Sequence, residues 1–246
     1  MQDGTGLIID ATRKASRFLQ RDYFELENLQ SSDKGTTSFC QKSCGKALQI
    51  LCEALGKYYK TVIFDNEEAE KTNFIGKAAL VETLDGLNNF ERALPFFAIM
   101  VTIISNKDGN IIAEKSIINF PALGEIYYAE KGRGAWLERH SSNFAGALRA
   151  RVSGTNDIGG ALISSSFSKI DVARKMSENI RLFESCTYAL VLLICGKIDV
   201  LINESRLISS KGIQMFVEES GGSYHVQDGL LLASNFKLHE KIKQLL

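Results

Sequence analysis

The chain has 246 residues, 45% hydrophobic and 24% charged. That balance excludes a disordered chain and suffices for a large core, in one unit or two packed lobes. Its 29 basic and 29 acidic side chains cancel, which excludes bulk attraction to nucleic acid or an anionic membrane and leaves only a local patch open.

The opening, MQDGTGLIIDATRKASRFLQ, lacks the basic region and long apolar run of a secretory leader. The most apolar stretch, YALVLLICGKIDVLI, is interrupted by Gly196, Lys197 and Asp199, so no membrane span is expected. Cysteines fall at 40, 44, 52, 186 and 195. An odd count without a tight pattern points to free thiols in a reducing cytoplasm. Cys40 and Cys44 are four apart without a partner pair, and histidine occurs only at 140, 225 and 239, which argues against a zinc site.

Helical spacing of Leu7, Ile8, Ala11, Ala15, Phe18, Leu19 and Phe24 predicts a helix over 6–30. After the polar turn 31–37, residues 39–57 read as a second helix. KTVIF (60–64) reads as a strand, 65–73 as an acidic loop, and AALVETL (78–84) as a strand ended by Asp85-Gly86. PFFAIMVTIIS (95–105) is a buried strand, followed by the turn NKDGN (106–110), the run 111–120, and a hairpin over 124–138 turning at KGRG. Residues 141–147 read as a connection between lobes. The second half then alternates: strand 160–167, helix 169–180, apolar helix 186–196, strand 198–204, and helices 210–222 and 239–246. A meander followed by alternating strand and helix predicts a layered α+β fold. The expected organisation is one unit over 1–246, with lobes at about 1–140 and 147–246.

Several segments, in order, resemble the inositol monophosphatase family. Glu82-Thr83-Leu84-Asp85-Gly86-Leu87-Asn88-Asn89-Phe90 is similar to its metal loop, Asp-Pro-(Leu/Ile)-Asp-Gly-Thr-Thr-Asn-Phe. Phe64-Asp65-Asn66-Glu67-Glu68 resembles Phe-Ile-Gly-Glu-Glu, and GEIYYAEKGRGAW resembles the family hairpin. ESCTYALVLLICGKID and VEESGG resemble its Gly-Ser-Ala-Ala-Leu helix and closing Glu-Ala-Gly-Gly. The likeness covers nearly the whole chain. It implies an α-β-α-β-α layered sandwich, a homodimer, and descent from Mg²⁺-dependent phosphomonoesterases.

Phosphate-ester hydrolysis of that kind needs hard cations held by converging carboxylates, and a helix N-terminus after Asp-Gly can offer N–H groups to phosphate. The resemblance places metal ligands at Glu67, Glu82, Leu84 and Asp85. It places phosphate or substrate contacts at Asp85, Gly86, Leu87, Asn88, Glu184, Ser185, Ser209 and Ser210. Read alone, Glu67 is an acid in an acidic loop and Asp85-Gly86 an ordinary turn.

Several departures bear on the chemistry. Glu82 is one methylene longer than the family aspartate. Leu87 stands where the family has a threonine hydroxyl, so no catalytic residue is assigned, and a core or pocket-plugging role is expected for it. The late metal aspartate falls on Ser209 or Ser210. The segment 36–44, which should carry carboxylates, has none, and Cys44 lies near the last of them. Glu184-Ser185 replaces Gly-Ser, putting an acid beside the expected pocket, and the family's substrate-contacting glutamate falls on Asn203, with Glu204 adjacent. The reading that follows is a family member with an eroded metal site, acting by binding a small phosphorylated ligand or a protein. The alternative is a phosphomonoesterase of inositol or sugar monophosphates with a weakened Mg²⁺ site. Nucleic-acid binding has little support, since ERALP and KGRGAWLERH scatter their basic residues.

Overall fold

Two long helices open the chain, α1 (Gly4–Leu29) and α2 (Thr36–Leu55). The structure is a computed structural model and describes residues 4–29, 36–64, 73–139 and 146–246. On α1, Ile8, Ala11, Ala15, Leu19 and Leu26 are buried at helical spacing; on α2 the buried stripe is Cys40, Ser43, Ala47, Leu51 and Leu55. Each stripe is one face of a 3.6-residue repeat, so the two helices pack on each other and on a sheet.

That sheet has seven strands in chain order. They are β1 (Thr61–Ile63), β2 (Gly76–Asp85), β3 (Ala98–Lys107), β4 (Asn110–Phe120), β5 (Glu125–Glu130), β6 (Gly134–Arg139) and β7 (Leu148–Arg149). Strand β1 runs parallel to β2, and the remaining pairs are antiparallel. The expected turn at 106–110 joins β3 to β4 through Asp108 and Gly109, both at positive φ (53° and 85°), the conformation a tight hairpin requires. A short helix, α3 (Leu87–Glu91), follows β2.

The second sheet comprises β8 (Ile163–Ser165), β9 (Ile180–Arg181), β10 (Val200–Glu204), β11 (Gly222–Gln227) and β12 (Leu230–Asn235), in the order β11-β12-β10-β8-β9. Helices α5 (Cys186–Ile194) and α6 (Leu207–Glu219) lie between the sheets, while α4 (Ile170–Arg174) and α7 (Phe236–Lys243) cover the outer face of the second. Strand parity assigns the cores. Ile99, Val101 and Ile103 face α1 and α2, and Met100 points the other way, into the central layer. Likewise Leu201, Leu231 and Ala233 face the central layer, while Val200, Ile202 and Leu232 face α4 and α7. Sandwiched between two sheets, α5 is buried almost all round, which explains its uniformly apolar sequence.

The layered α-β-α-β-α sandwich is therefore present. The differences are local. The helix over 169–180 stops at Arg174, because Ser177 turns back to donate to the carbonyls of Gly159 and Ala161 (3.1 and 2.9 Å), and β9 begins at Ile180. The hairpin β11–β12 occupies residues left without an element in the sequence reading, and turns at Asp228-Gly229 (φ 49° and 73°). Of the lobe connection expected at 141–147, residues 141–145 lie outside the described residues. No helix among the described residues is long and apolar enough to cross a membrane.

Candidate functional site

The site is built where β2 ends. Asp85 is its last residue, and Gly86 turns the chain into α3 with φ 82° and ψ 39°. A Cβ at Gly86 would stand 2.4 Å from the Phe96 carbonyl oxygen and 3.2 Å from the Ser185 Cβ, so only glycine fits there. Asn89 locks the turn: its Nδ2 donates to the carbonyls of Phe96 (2.9 Å) and Phe183 (2.8 Å).

This brings the turn against the start of α5. The Asp85 Oδ2 accepts from Ser185 Oγ and from the Thr187 backbone N–H, both at 2.7 Å. Ser185 is also the N-cap of α5, its Oγ accepting from the Tyr188 N–H at 3.0 Å. A carboxylate at a helix N-terminus is favoured by the aligned peptide dipoles. Asp85 thus serves as the internal anion of α5.

Around this contact lies a cleft of about 310 Å³. Its walls include Glu82, Asp85, Glu184 and Ser185 from the first motifs, and Ser209, Glu204 and Arg206 from the second sheet and α6. Ser164, Ser165, Ser166, Ser168 and Asn203 add to the polar lining. The Glu82 side chain is only 13% exposed. Burial, then repulsion from Asp85, pushes its carboxyl up to about 8, against the opposing pull of Arg206. The Arg206 Nη1 stands 4.0 Å from the Glu82 Oε1. Cys186, also on the wall, has its thiol pushed well above the ordinary range by burial and then by Asp85 and Glu82.

The structure brings Glu82, Asp85, Glu184, Ser185 and Ser209 to one cleft. Glu67 lies outside the described residues. Leu84 packs half-buried against the α1–α2 core. Asn88 is exposed, and Ser210 bonds the Tyr224 hydroxyl at 2.5 Å; neither lines the cleft. Leu87 departs from expectation: at 40% exposure it is neither core nor plug, because the first position of a surface helix points its side chain outward. Sequence reasoning missed Arg206, Ser164 and Asn89. The first two belong to no motif; Asn89 was visible as a polar residue beside Phe90 in the loop.

Of the metal ligands that the resemblance implies, the described residues bring Glu82 and Asp85 to the cleft, and Glu67 lies outside them. Mg²⁺ needs several oxygen ligands at about 2.0–2.1 Å in octahedral array. Among the described residues, no group of three His, Cys, Asp or Glu is placed to hold a metal. One oxygen of Asp85 is already committed to α5, Glu82 stands beside a guanidinium, and Ser209 offers only a neutral hydroxyl.

An α-β-α-β-α sandwich with an Asp-Gly turn docked on a buried helix defines the class. The inositol monophosphatase family model matches residues 2–212, and the chain belongs to that family. An inositol-1-monophosphatase of Caulobacter vibrioides is 29% identical, over 97% of this chain and 99% of that one. A Nus factor SuhB of Xylella fastidiosa is 20% identical over 89% of this chain and 79% of its own. The crystal structure of the extragenic suppressor protein suhB from Bartonella henselae superposes with a TM-score of 0.77, covering 100% of this chain and 98% of that one at 22% identity. That last likeness shows the fold.

Proposed function

We propose that this chain is an inositol monophosphatase-family protein whose metal site has eroded, and that it acts by binding rather than by hydrolysis. The observation that carries this reading is the state of the two described carboxylates. Asp85 gives one carboxylate oxygen to the N-terminus of α5, and Glu82 is buried, its carboxyl pushed up by burial and by Asp85, with Arg206 4.0 Å away. Replacing a metal-ligating aspartate by Ser209 removes a charge that Mg²⁺ requires. Partners within this reading are a small ligand in the cleft, a second copy of the chain, or another protein. The last is favoured by the relative named as a Nus factor.

A second reading, a Mg²⁺-dependent phosphomonoesterase of inositol or sugar monophosphates, is favoured by the adjacency of Glu82 and Asp85 and by the Caulobacter relative's name. Titration calorimetry with Mg²⁺ and Mn²⁺, on the wild type and on Asp85→Ala, separates the two. The binding reading expects no saturable heat in either protein at millimolar metal. Heat lost in Asp85→Ala, together with turnover of a phosphate monoester, would sink it.

A further inference from the structure

We infer that the open edge of β11 is an interface at which a second copy of this chain adds its own β11, antiparallel and about a two-fold axis through His225. This goes beyond the binding role proposed above, and it holds whether or not the cleft turns over a phosphate ester.

A strand at the edge of a sheet carries unpaired N–H and C=O groups that template pairing with another strand. Folded proteins blunt such edges by shortness, charge, proline or a bulge. Three of the four sheet edges among the described residues are blunted. Strand β1 is three residues long, and β7 and β9 are two each, ending in Arg149 and Arg181. Strand β11 is the exception. It runs six residues, Gly-Ser-Tyr-His-Val-Gln, without Lys, Arg, Asp, Glu or Pro, and its register with β12 is unbroken over all six. No strand lies on its other side. The Val152 N–H donates to the Ser220 carbonyl (3.2 Å) just ahead of the strand. Apart from the ladder to β12, no backbone group of 223–227 has a backbone partner among the described residues, so Ser223 to Gln227 is the open length.

The occupant follows from the pattern. Residues directly opposite in an antiparallel pair share a face, so two copies of one strand pair about an axis centred on a residue. The middle of 223–227 is His225. That register sets Tyr224 against Val226 of the second copy, Ser223 against Gln227, and His225 against His225. Tyr224 bonds Ser210 of α6, so it and Val226 face the central layer, while His225 faces α7, its ring 6.5 Å from that of His239. Tyr224 opposite Val226 is an aromatic–β-branched pair, a favourable cross-strand combination, and it covers a valine that is 40% exposed in the single chain. Asp228 falls opposite Gly222, so no pair in this register sets like charges together. An uncharged strand that complements itself fits a second copy in an isologous arrangement.

The test is sedimentation velocity on the wild type, His225→Lys and His225→Glu, each alone and the two variants mixed. The wild type should associate as concentration rises. Each variant sets two like charges directly opposite and should sediment at half the wild-type mass at the same concentration. An equimolar mixture, which sets Lys against Glu, should regain the wild-type mass. Mixing does not rescue a misfolded chain, so recovery separates a broken interface from a broken fold. If neither variant folds, hydrogen exchange on the wild type decides: amides of 223–227 should exchange more slowly at high than at low concentration. A wild type that stays a single chain up to millimolar concentration, folded variants that keep the wild-type mass, a mixture of folded variants that does not regain it, or β11 exchange independent of concentration would each overturn the inference.

Discussion

Asp85 and Gly86 do different work, and the distinction is chemical. Asp85 supplies charge to α5, whereas Gly86 supplies only the absence of a side chain. Glycines elsewhere separate the two costs that alanine would bring. At Gly221 the backbone is also left-handed (φ 84°), but nothing lies within 4 Å of a Cβ. Gly221→Ala should therefore cost only backbone strain, about 1 kcal/mol. Gly86→Ala adds a clash with the Phe96 carbonyl and should cost roughly 3 kcal/mol or more, or prevent folding. Urea unfolding of both variants checks this, and equal losses would mean that the turn yields without disturbing Phe96. At this scale the turn was legible from the dipeptide Asp-Gly. The commitment of Asp85 to α5 was not, because its partners Ser185 and Thr187 lie 100 and 102 residues away.

Among the elements, α7 shows how a local pattern conceals a buried polar contact. Its buried face is Leu238, His239 and Ile242. The His239 Nδ1 pairs with Ser234 Oγ of β12 at 2.9 Å. Burial lowers the pKa of this ring below its ordinary 6.5, opposed by Glu240 and helped by Lys243 and by His225 of β11. The folded state thus prefers the neutral ring. The unfolded chain takes up its proton as pH falls through 6.5, so the stability His239 contributes is full above that pH and drains away below it. Melting temperature should fall between about pH 7 and pH 5 in the wild type, and less steeply in His239→Leu. Identical slopes would show that His239 is not the group responsible. The helix itself was readable from its sequence, though three residues late. The hairpin β11–β12 beside it was not, despite its Asp-Gly turn. The run Gly-Ser-Tyr-His-Val-Gln on β11 is only half-buried and carries no clean alternation.

Across the whole molecule, the central layer couples the two sheets. Helix α6 packs against β2 to β6 of the first sheet and β11 of the second. Its closest approach is Gly212, where a Cβ would meet Thr102 Oγ1 at 2.4 Å, Ser116 Oγ at 2.9 Å and Met100 Sδ at 3.1 Å. Those two hydroxyls bond each other at 2.8 Å beneath the helix. Gly212→Ala should push α6 off the sheet and cost about 2–3 kcal/mol. Adding Thr102→Ala should recover part of the loss, since the two changes meet in one contact. Thermal unfolding of the single and double variants decides it; purely additive losses would refute the contact. The same helix carries Ser209 into the cleft and, at its far end, Glu219, whose carboxylate accepts from the Gly132 and Gly134 N–H groups (2.6 and 2.7 Å). A shift of α6 would therefore disturb both the hairpin and the site.

Sequence alone determined what is local. Apolar spacing set the faces of α1 and α2, and the Asp-Gly and Lys-Gly-Arg-Gly turns marked hairpins or helix starts. The ordered motifs disclosed the family. Tertiary structure decided what these residues meet. Arg206 comes beside Glu82, Asp85 is taken by α5, Leu87 faces outward, and Ser164 joins Ser209 on one floor. The physical reason is range. Turn chemistry and helical periodicity act over a few residues, whereas charge, burial and hydrogen-bond satisfaction in the cleft depend on how separate layers stack.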